Sequence, residues 1–149
     1  MAVDFSPAAA AEDVQRILRM DRICFPLDEP PSIDGAEWAI GWDGKTPAAY
    51  CAWKVVEHDA VPVGFHYRGG VLPEYRGRAL QRRMLGLREA AMRERGLTTA
   101  VTYTDADGAA SMRSLIAEGY LPYAPTPATT LSGSGRFGRV GFVHWRKIL

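Results

Sequence analysis

Arg76, Gly77, Arg78, Ala79, Leu80, Gln81 and Arg82 have the residue types and the setting to hold an anion. They follow an apolar run, Val71-Leu72-Pro73. They lead straight into a helical pattern in which Leu80, Met84, Leu87 and Ala91 are spaced four, three and four apart. The first turn of a helix has N–H groups with no intrahelical partner and carries a partial positive charge. Small residues ahead of that turn let a phosphate approach the backbone, and nearby arginines add charge and donors. This order of strand, small-residue loop and helix implies a phosphorylated cofactor held at 76–82. Arg78, Arg82 and Arg83 stand where they can meet phosphate. Arg88, Arg93 and Arg95, further along, read as the solvent face of the helix.

The loop needs a strand before it and a helix after it, and the sequence supplies both. Val61–Val71 has strand character, interrupted by Gly64 and Gly69-Gly70, where a bulge or a close backbone approach is expected. The helix is expected over Arg78–Arg95, with Gly96 as its C-cap. Upstream, Ser6-Pro7 reads as the start of a helix carrying Val14, Ile17 and Leu18 as far as Met20. Phe25–Pro31 is a proline-rich loop. Glu37–Trp42 and Ala48–Val56 form a hairpin around Asp43-Gly44, and Glu57-His58-Asp59 is a turn. Downstream come a strand over Thr98–Thr104, a helix capped by Asp107 that ends at Gly119, and a short extended piece over Tyr120–Ala124. A loop over Pro125–Arg139 and a last strand over Val140–Ile148 close the chain. The implied fold is α/β (α+β), one domain over residues 1–149, with a mixed sheet flanked by helices.

Bulk properties narrow the function. A chain of 149 residues with 47% apolar and 23% charged residues is a globular domain with room for a core. No apolar run approaches the roughly 18 residues of a membrane span. The first residues lack the basic cluster of a secretory signal. Cys24 and Cys51 have no metal-type spacing and read as small buried side chains in a reducing compartment, which makes the cytoplasm the expected location. No metal is expected. Residues 1–60 carry eleven acids and five bases, and residues 61–149 six acids and thirteen bases. The basic half suits a polyanionic cofactor and the acidic half a cationic substrate, unless the asymmetry only reflects a chain with fifteen arginines and three lysines. No nucleic-acid motif is present, and neither nucleic acid nor membrane is an expected partner.

Val71, Pro73, Glu74, Tyr75, Arg76, Gly77, Arg78 and Leu80, followed by Asp107-Gly108-Ala109-Ala110-Ser111 and by Glu118-Gly119-Tyr120, resemble the GNAT superfamily of acyl-CoA-dependent N-acyltransferases. The resemblance covers residues 60–122. His144-Trp145-Arg146-Lys147 also looks like the closing strand of bacterial and phage-type members. The resemblance implies a single-domain GNAT-like fold with a central, mostly antiparallel mixed sheet of six to seven strands. The family's loop pattern falls on Arg76, Ala79 and Gln81. Ala79 stands where glycine is usual, and Gln81 where glycine or alanine is.

The resemblance further implies acetyl-CoA as co-substrate. Its pyrophosphate would lie on the amides of Arg76–Arg82 and its pantetheine arm along Val71 and Leu72, in a gap beside the strand at Thr98–Thr104. The Val71 N–H, or a neighbour, would donate to the thioester oxygen. An amine of a small molecule or peptide would attack directly, with two proton transfers to manage. The tyrosine that the family often carries on the second helix falls here on Leu115, and an asparagine near that helix start is replaced by Gly108. Tyr103 and Ser111 are the substitutes expected at the sulfur. His66 is the candidate base, with Glu57, His58, Glu74 or a water chain as alternatives. Tyr103 and His66 also read as packing residues. Trp38, Trp42 and Trp53 read as core or pocket wall, and Trp145 as packing on the sheet. Family members often pair as homodimers through the sheet or terminal strands. The leading expectation is an N-acetyltransferase; the alternative is an acyl-CoA-binding module without catalysis.

Overall fold

The computed structural model describes residues 2–125 and 141–149. The expected loop over Pro125–Arg139 lies, apart from Pro125, outside the described residues. Among the described residues seven strands form one sheet: β1 Asp4–Pro7, β2 Glu37–Asp43, β3 Thr46–His58, β4 Val61–Val71, β5 Thr99–Asp105, β6 Leu121–Tyr123 and β7 Phe142–Ile148. Three α-helices accompany them among the described residues: α1 Ala11–Cys24, α2 Leu80–Glu94 and α3 Ala109–Ala117. The sheet order is β1-β2-β3-β4-β5-β7-β6. β1/β2, β2/β3, β5/β7 and β6/β7 pair antiparallel, and β4/β5 pairs parallel, so the sheet is mixed and mostly antiparallel, as expected.

Several boundaries differ from the sequence reading. Ser6-Pro7 belongs to a strand, with Pro7 opposite Ala39, and not to a helix start. An edge strand tolerates the missing proline donor. The helix begins only at Ala11, without a side-chain cap. Glu57 and His58 continue β3, and the turn falls on Asp59 and Ala60, whose φ values of 51° and 66° are those of a two-residue hairpin turn. Gly108, not Asp107, occupies the N-cap of α3. α2 opens at Leu80, and its buried face is Leu80, Met84, Leu85, Arg88, Glu89 and Met92, while Leu87 is exposed. The stripe is thus turned from the one read by apolarity alone, and Arg88 lies in the interior instead of on the wet face.

The chain forms two compact units. The first comprises Met1–Lys54 and Tyr67–Gln81. Its core is Ile17 and Met20 of α1 against Trp38, Ile40, Tyr50 and Ala52 of β2 and β3, with Phe25, Ile33 and Leu72 packed around them. The second comprises Val55–His66 and Arg82–Leu149. It buries Phe65, Met84, Met92, Val101, Leu115, Tyr120 and Trp145. Within it β4 meets β5 at Gly64↔Ala100 and Phe65↔Val101. A Cβ on Gly64 would come within 2.3 Å of Met92 Sδ, so the missing side chain is what lets α2 settle on the strand.

Candidate functional site

In the first unit, β4 ends at Val71 and the chain turns through a 3₁₀ turn, Pro73–Tyr75, closed by Tyr75 N–H donating to Leu72 O at 2.9 Å. Gly77 and Ala79 then take left-handed φ values of 79° and 59°, immediately before α2. Alternating left-handed residues turn successive N–H groups toward one side and create an anion-binding concavity. A Cβ on Gly77 would meet nothing within 4 Å, so glycine serves there for its backbone conformation and not for space. Residues 76–79 are exposed, which leaves this backbone open to a ligand.

The side chains of the loop are drawn inward or held locally. Arg76 Nε donates to Val71 O at 3.0 Å, and Arg78 donates to Glu74 O at 3.3 Å while its guanidinium lies over the Tyr75 ring. Tyr75 O–H donates to Asp43 Oδ2 at 2.9 Å and ties the turn to the β2–β3 hairpin. Leu72 N–H is committed to Ala48 O at 3.0 Å, so the donor role expected near Val71 does not fall on Leu72. Val71 O also accepts from the Cys24 thiol at 3.6 Å. Burial raises the Cys24 thiol above its ordinary pKa, and Arg76 beside it opposes that rise. Next to it Asp21 is buried between Arg68, which donates to both carboxylate oxygens at 2.8 and 2.9 Å, and Tyr50, whose O–H donates at 2.5 Å. Burial and the Asp21 bond together push the Tyr50 phenol far up.

In the second unit, His66 is buried at the end of a polar chain. Its Nε2 lies 2.6 Å from Tyr120 Oη; Tyr120 O–H donates to Glu89 Oε2 at 2.7 Å; and Lys147 Nζ donates to Glu89 Oε1 at 2.9 Å. His66 Nδ1 is buried and has no hydrogen-bond partner among the described residues. Desolvation, with Arg88 and Lys147 nearby, holds the imidazole well below the usual histidine range, so it is neutral at pH 7. The His66 carbonyl accepts from Thr102 Oγ1 at 3.2 Å, one register step beyond the Phe65↔Val101 pair.

Tyr103 lies elsewhere. It is half-buried in an aromatic group with Phe65 at 6.0 Å, Phe142 at 5.2 Å and His144 at 6.4 Å between ring centroids. Adjacent strand residues face opposite sides, so Tyr103, which shares a side with Phe65, is separated from His66 by the sheet. Ser111 is exposed in the first turn of α3, and Leu115 is buried. Arg82 is half exposed and pairs with Glu118 at 2.8 Å. Of the alternative bases, Glu57 and Glu74 are exposed, and His58 sits 2.8 Å from the Tyr123 hydroxyl. The structure therefore gathers Val71, Leu72 and residues 76–81 at one loop, and leaves His66, Tyr103 and Ser111 in three different settings.

Sequence reasoning missed Tyr120, Glu89 and Lys147 as partners of His66, and Asp21, Arg68 and Tyr50 as a second buried cluster. The one available signal was an acid, Glu89, next to Met92 and Met84 on a helix face. Apolar periodicity discards that signal.

No protein-family model matches this sequence, and no curated protein sequence matches it. Solved structures do. The ribosomal-protein-S18-alanine N-acetyltransferase of Escherichia coli is similar at 14% identity, with a TM-score of 0.72, over 99% of this chain and 94% of that one. The NatC complex bound to Gag peptide and CoA includes a chain similar at 16% identity, with a TM-score of 0.77, over 100% of this chain and 99% of that one. The yncA protein of Salmonella typhimurium, with its cofactor acetyl-CoA, is similar at 17% identity, with a TM-score of 0.72, over 100% of this chain and 95% of that one. The fold is that of the GNAT acetyltransferases.

Proposed function

From a GNAT fold with an amide-lined loop ahead of α2, we propose that this chain is an N-acetyltransferase that moves an acetyl group from acetyl-CoA to a primary amine of a small molecule or peptide. The observation that carries the reading is the left-handed pair Gly77 and Ala79, exposed between the end of β4 and the N-terminus of α2. A diphosphate fits such a backbone: the amides supply donors, the helix end supplies partial charge, and no side chain has to move out of the way at Gly77. The similar structures support acetyl-CoA as the donor, and a protein or peptide acceptor appears in two of their names.

In this reading Arg76, Gly77, Arg78, Ala79, Leu80, Gln81 and Arg82 hold the phosphates, with Val71 and Leu72 along the pantetheine arm. When bound, acetyl-CoA supplies an activated acyl group. The chain contributes position, which removes the entropy cost of encounter, and proton transfer. His66 is the proposed base toward the amine, and Tyr103 and Ser111 are the proposed proton sources at the leaving sulfur; because the sheet separates Tyr103 from His66, these two are alternatives at one reaction centre and do not act on it together. A second reading, an acyl-CoA-binding module without catalysis, is favoured by one observation: the α3 position that carries a tyrosine in many GNAT enzymes is Leu115, buried in the core. Incubation with acetyl-CoA and an amine panel, with free thiol monitored, separates the two. Thiol release that depends on an amine supports the transferase; acetyl-CoA binding by calorimetry without release on any amine supports the module; no binding removes both.

A further inference from the structure

We propose that Tyr120, itself held by Glu89, is a positioning residue that fixes His66 in a single tautomer and so presents the Nδ1 lone pair as proton acceptor for the substrate amine. The inference rests on the transferase reading and deepens it.

The tautomer follows from counting protons. Glu89 is a carboxylate facing Lys147 Nζ at 2.9 Å, and an ionised carboxylate only accepts hydrogen bonds. The single Tyr120 proton is spent on Glu89 Oε2 at 2.7 Å. The Tyr120 oxygen can then only accept at 2.6 Å from His66, so Nε2 carries the hydrogen. A neutral imidazole has one N–H, which leaves Nδ1 as a bare lone pair. That nitrogen is buried and has no partner among the described residues, an arrangement that costs stability wherever a polar atom serves only to pack.

The groups facing His66 suit a relay better than a resting imidazolium. Arg88 and Glu89 come from α2, Tyr120 follows α3, Lys147 comes from β7 and Thr102 from β5. The two cations and the burial disfavour a second proton on the ring. The chain avoids that state. One N–H bond of the substrate ammonium breaks and an Nδ1–H bond forms; the Nε2 proton passes to the Tyr120 oxygen; the Tyr120 proton passes to Glu89 Oε2. His66 and Tyr120 stay neutral, Glu89 holds the proton beside Lys147, and the amine is left uncharged with its lone pair free to attack. After acyl transfer the chain runs in reverse and Nδ1 releases the proton to water. Nothing is oxidised or reduced.

The probes are acetyl-CoA and whichever panel amine releases thiol fastest. In ¹⁵N-histidine NMR of the unmodified protein, His66 should show a protonated Nε2 and an unprotonated Nδ1. His66→Gln keeps an N–H donor toward Tyr120 but has no lone pair at the Nδ1 position. It should bind acetyl-CoA within about twofold of the parent by calorimetry, yet lose roughly 10²–10⁴-fold in kcat. Tyr120→Phe should give a mixed His66 tautomer and a lower kcat, with KM for the amine unchanged. A protonated Nδ1 in the unmodified protein, or His66→Gln at full kcat, overturns this inference and leaves the transferase reading standing. An unmodified protein that binds no acetyl-CoA overturns both.

Discussion

Arg76 reaches back across the 3₁₀ turn to the Val71 carbonyl, Nε to O at 3.0 Å, so the first arginine of the loop acts on the loop itself. The bond spans the whole segment that separates β4 from Gly77 and sets where the exposed amides begin. Arg76→Ala should therefore loosen the cradle without removing any of its amides. The expected result is about tenfold weaker acetyl-CoA binding by calorimetry, with a stability loss of only about 1 kcal/mol, because the side chain is solvent-exposed. Gly77→Glu, which puts a negative side chain and a strained φ into the cradle, should abolish binding. If Arg76→Ala weakens binding as severely, Arg76 contacts the phosphate instead of shaping the loop.

Ala79 has φ 59°, a conformation that costs a residue with a Cβ roughly 1–2 kcal/mol. Ala79→Gly relieves that strain but adds disorder to the unfolded chain. A net gain of about 0.5 kcal/mol in denaturant unfolding is expected. Gly77→Ala, at φ 79°, should lose about 1 kcal/mol. Opposite signs at two positions this close would establish that both are left-handed in solution; equal signs would contradict the loop geometry.

Glu89 is buried, whereas Lys147, its partner at 2.9 Å, keeps about a fifth of its side chain in water. Lys147→Met leaves the carboxylate with the Tyr120 hydroxyl and the more distant, half-exposed Arg93 at 3.9 Å, and a loss of about 3 kcal/mol, the low end of the general cost of breaking a buried pair, is expected. Glu89→Gln removes the charge and keeps an acceptor for the Tyr120 hydroxyl. The double variant should then be more stable than the sum of the single losses predicts, by at least about 1 kcal/mol. Strict additivity would mean that the two groups do not interact across the helix–strand packing.

The elements that sequence read best are those whose signals are local. β4 spans Val61–Val71 as expected, because a turn bounds one end and Pro73 the other. The loop between β4 and α2 was legible from residue types alone, since glycine and arginine ahead of a helical pattern suffice to describe it, and its grip on an anion is part of the proposal. β1 was not, because Ser6-Pro7 has the local chemistry of a helix start and becomes a strand only by pairing with Ile40 and Ala39. The face of α2 was misread for a similar reason: Glu89 is buried against partners elsewhere in the chain, Tyr120 and Lys147, and Arg88 is buried beside it with its Nε turned back to Met84 O of the same helix. Apolar spacing assigns such residues to solvent. The His66 network is invisible in sequence because its members share no spacing, only a position in the folded second unit.

Stability against pH should report the buried histidine directly. Burial, reinforced by Arg88 and Lys147, lowers the His66 pKa in the folded state, and burial also lowers that of His144. The unfolded chain therefore binds more protons than the folded one once pH falls below the free-histidine value of roughly 6.5. Stability depends on pH through this difference in bound protons, so it falls as pH drops below that value and is flat above it as far as these two groups are concerned. The contribution is fully present above the unfolded pKa and is lost on acidification toward the folded one. His66→Gln removes the larger of the two shifts, so urea unfolding of this variant between pH 7.5 and pH 5 should give a visibly shallower slope than the parent (both pH values are roughly a unit or more from the free-histidine pKa). An unchanged slope would mean that His66 takes up its proton in the folded state as readily as in the unfolded one, and the imidazole would then be a charged member of the network and not the neutral acceptor inferred from its bonds.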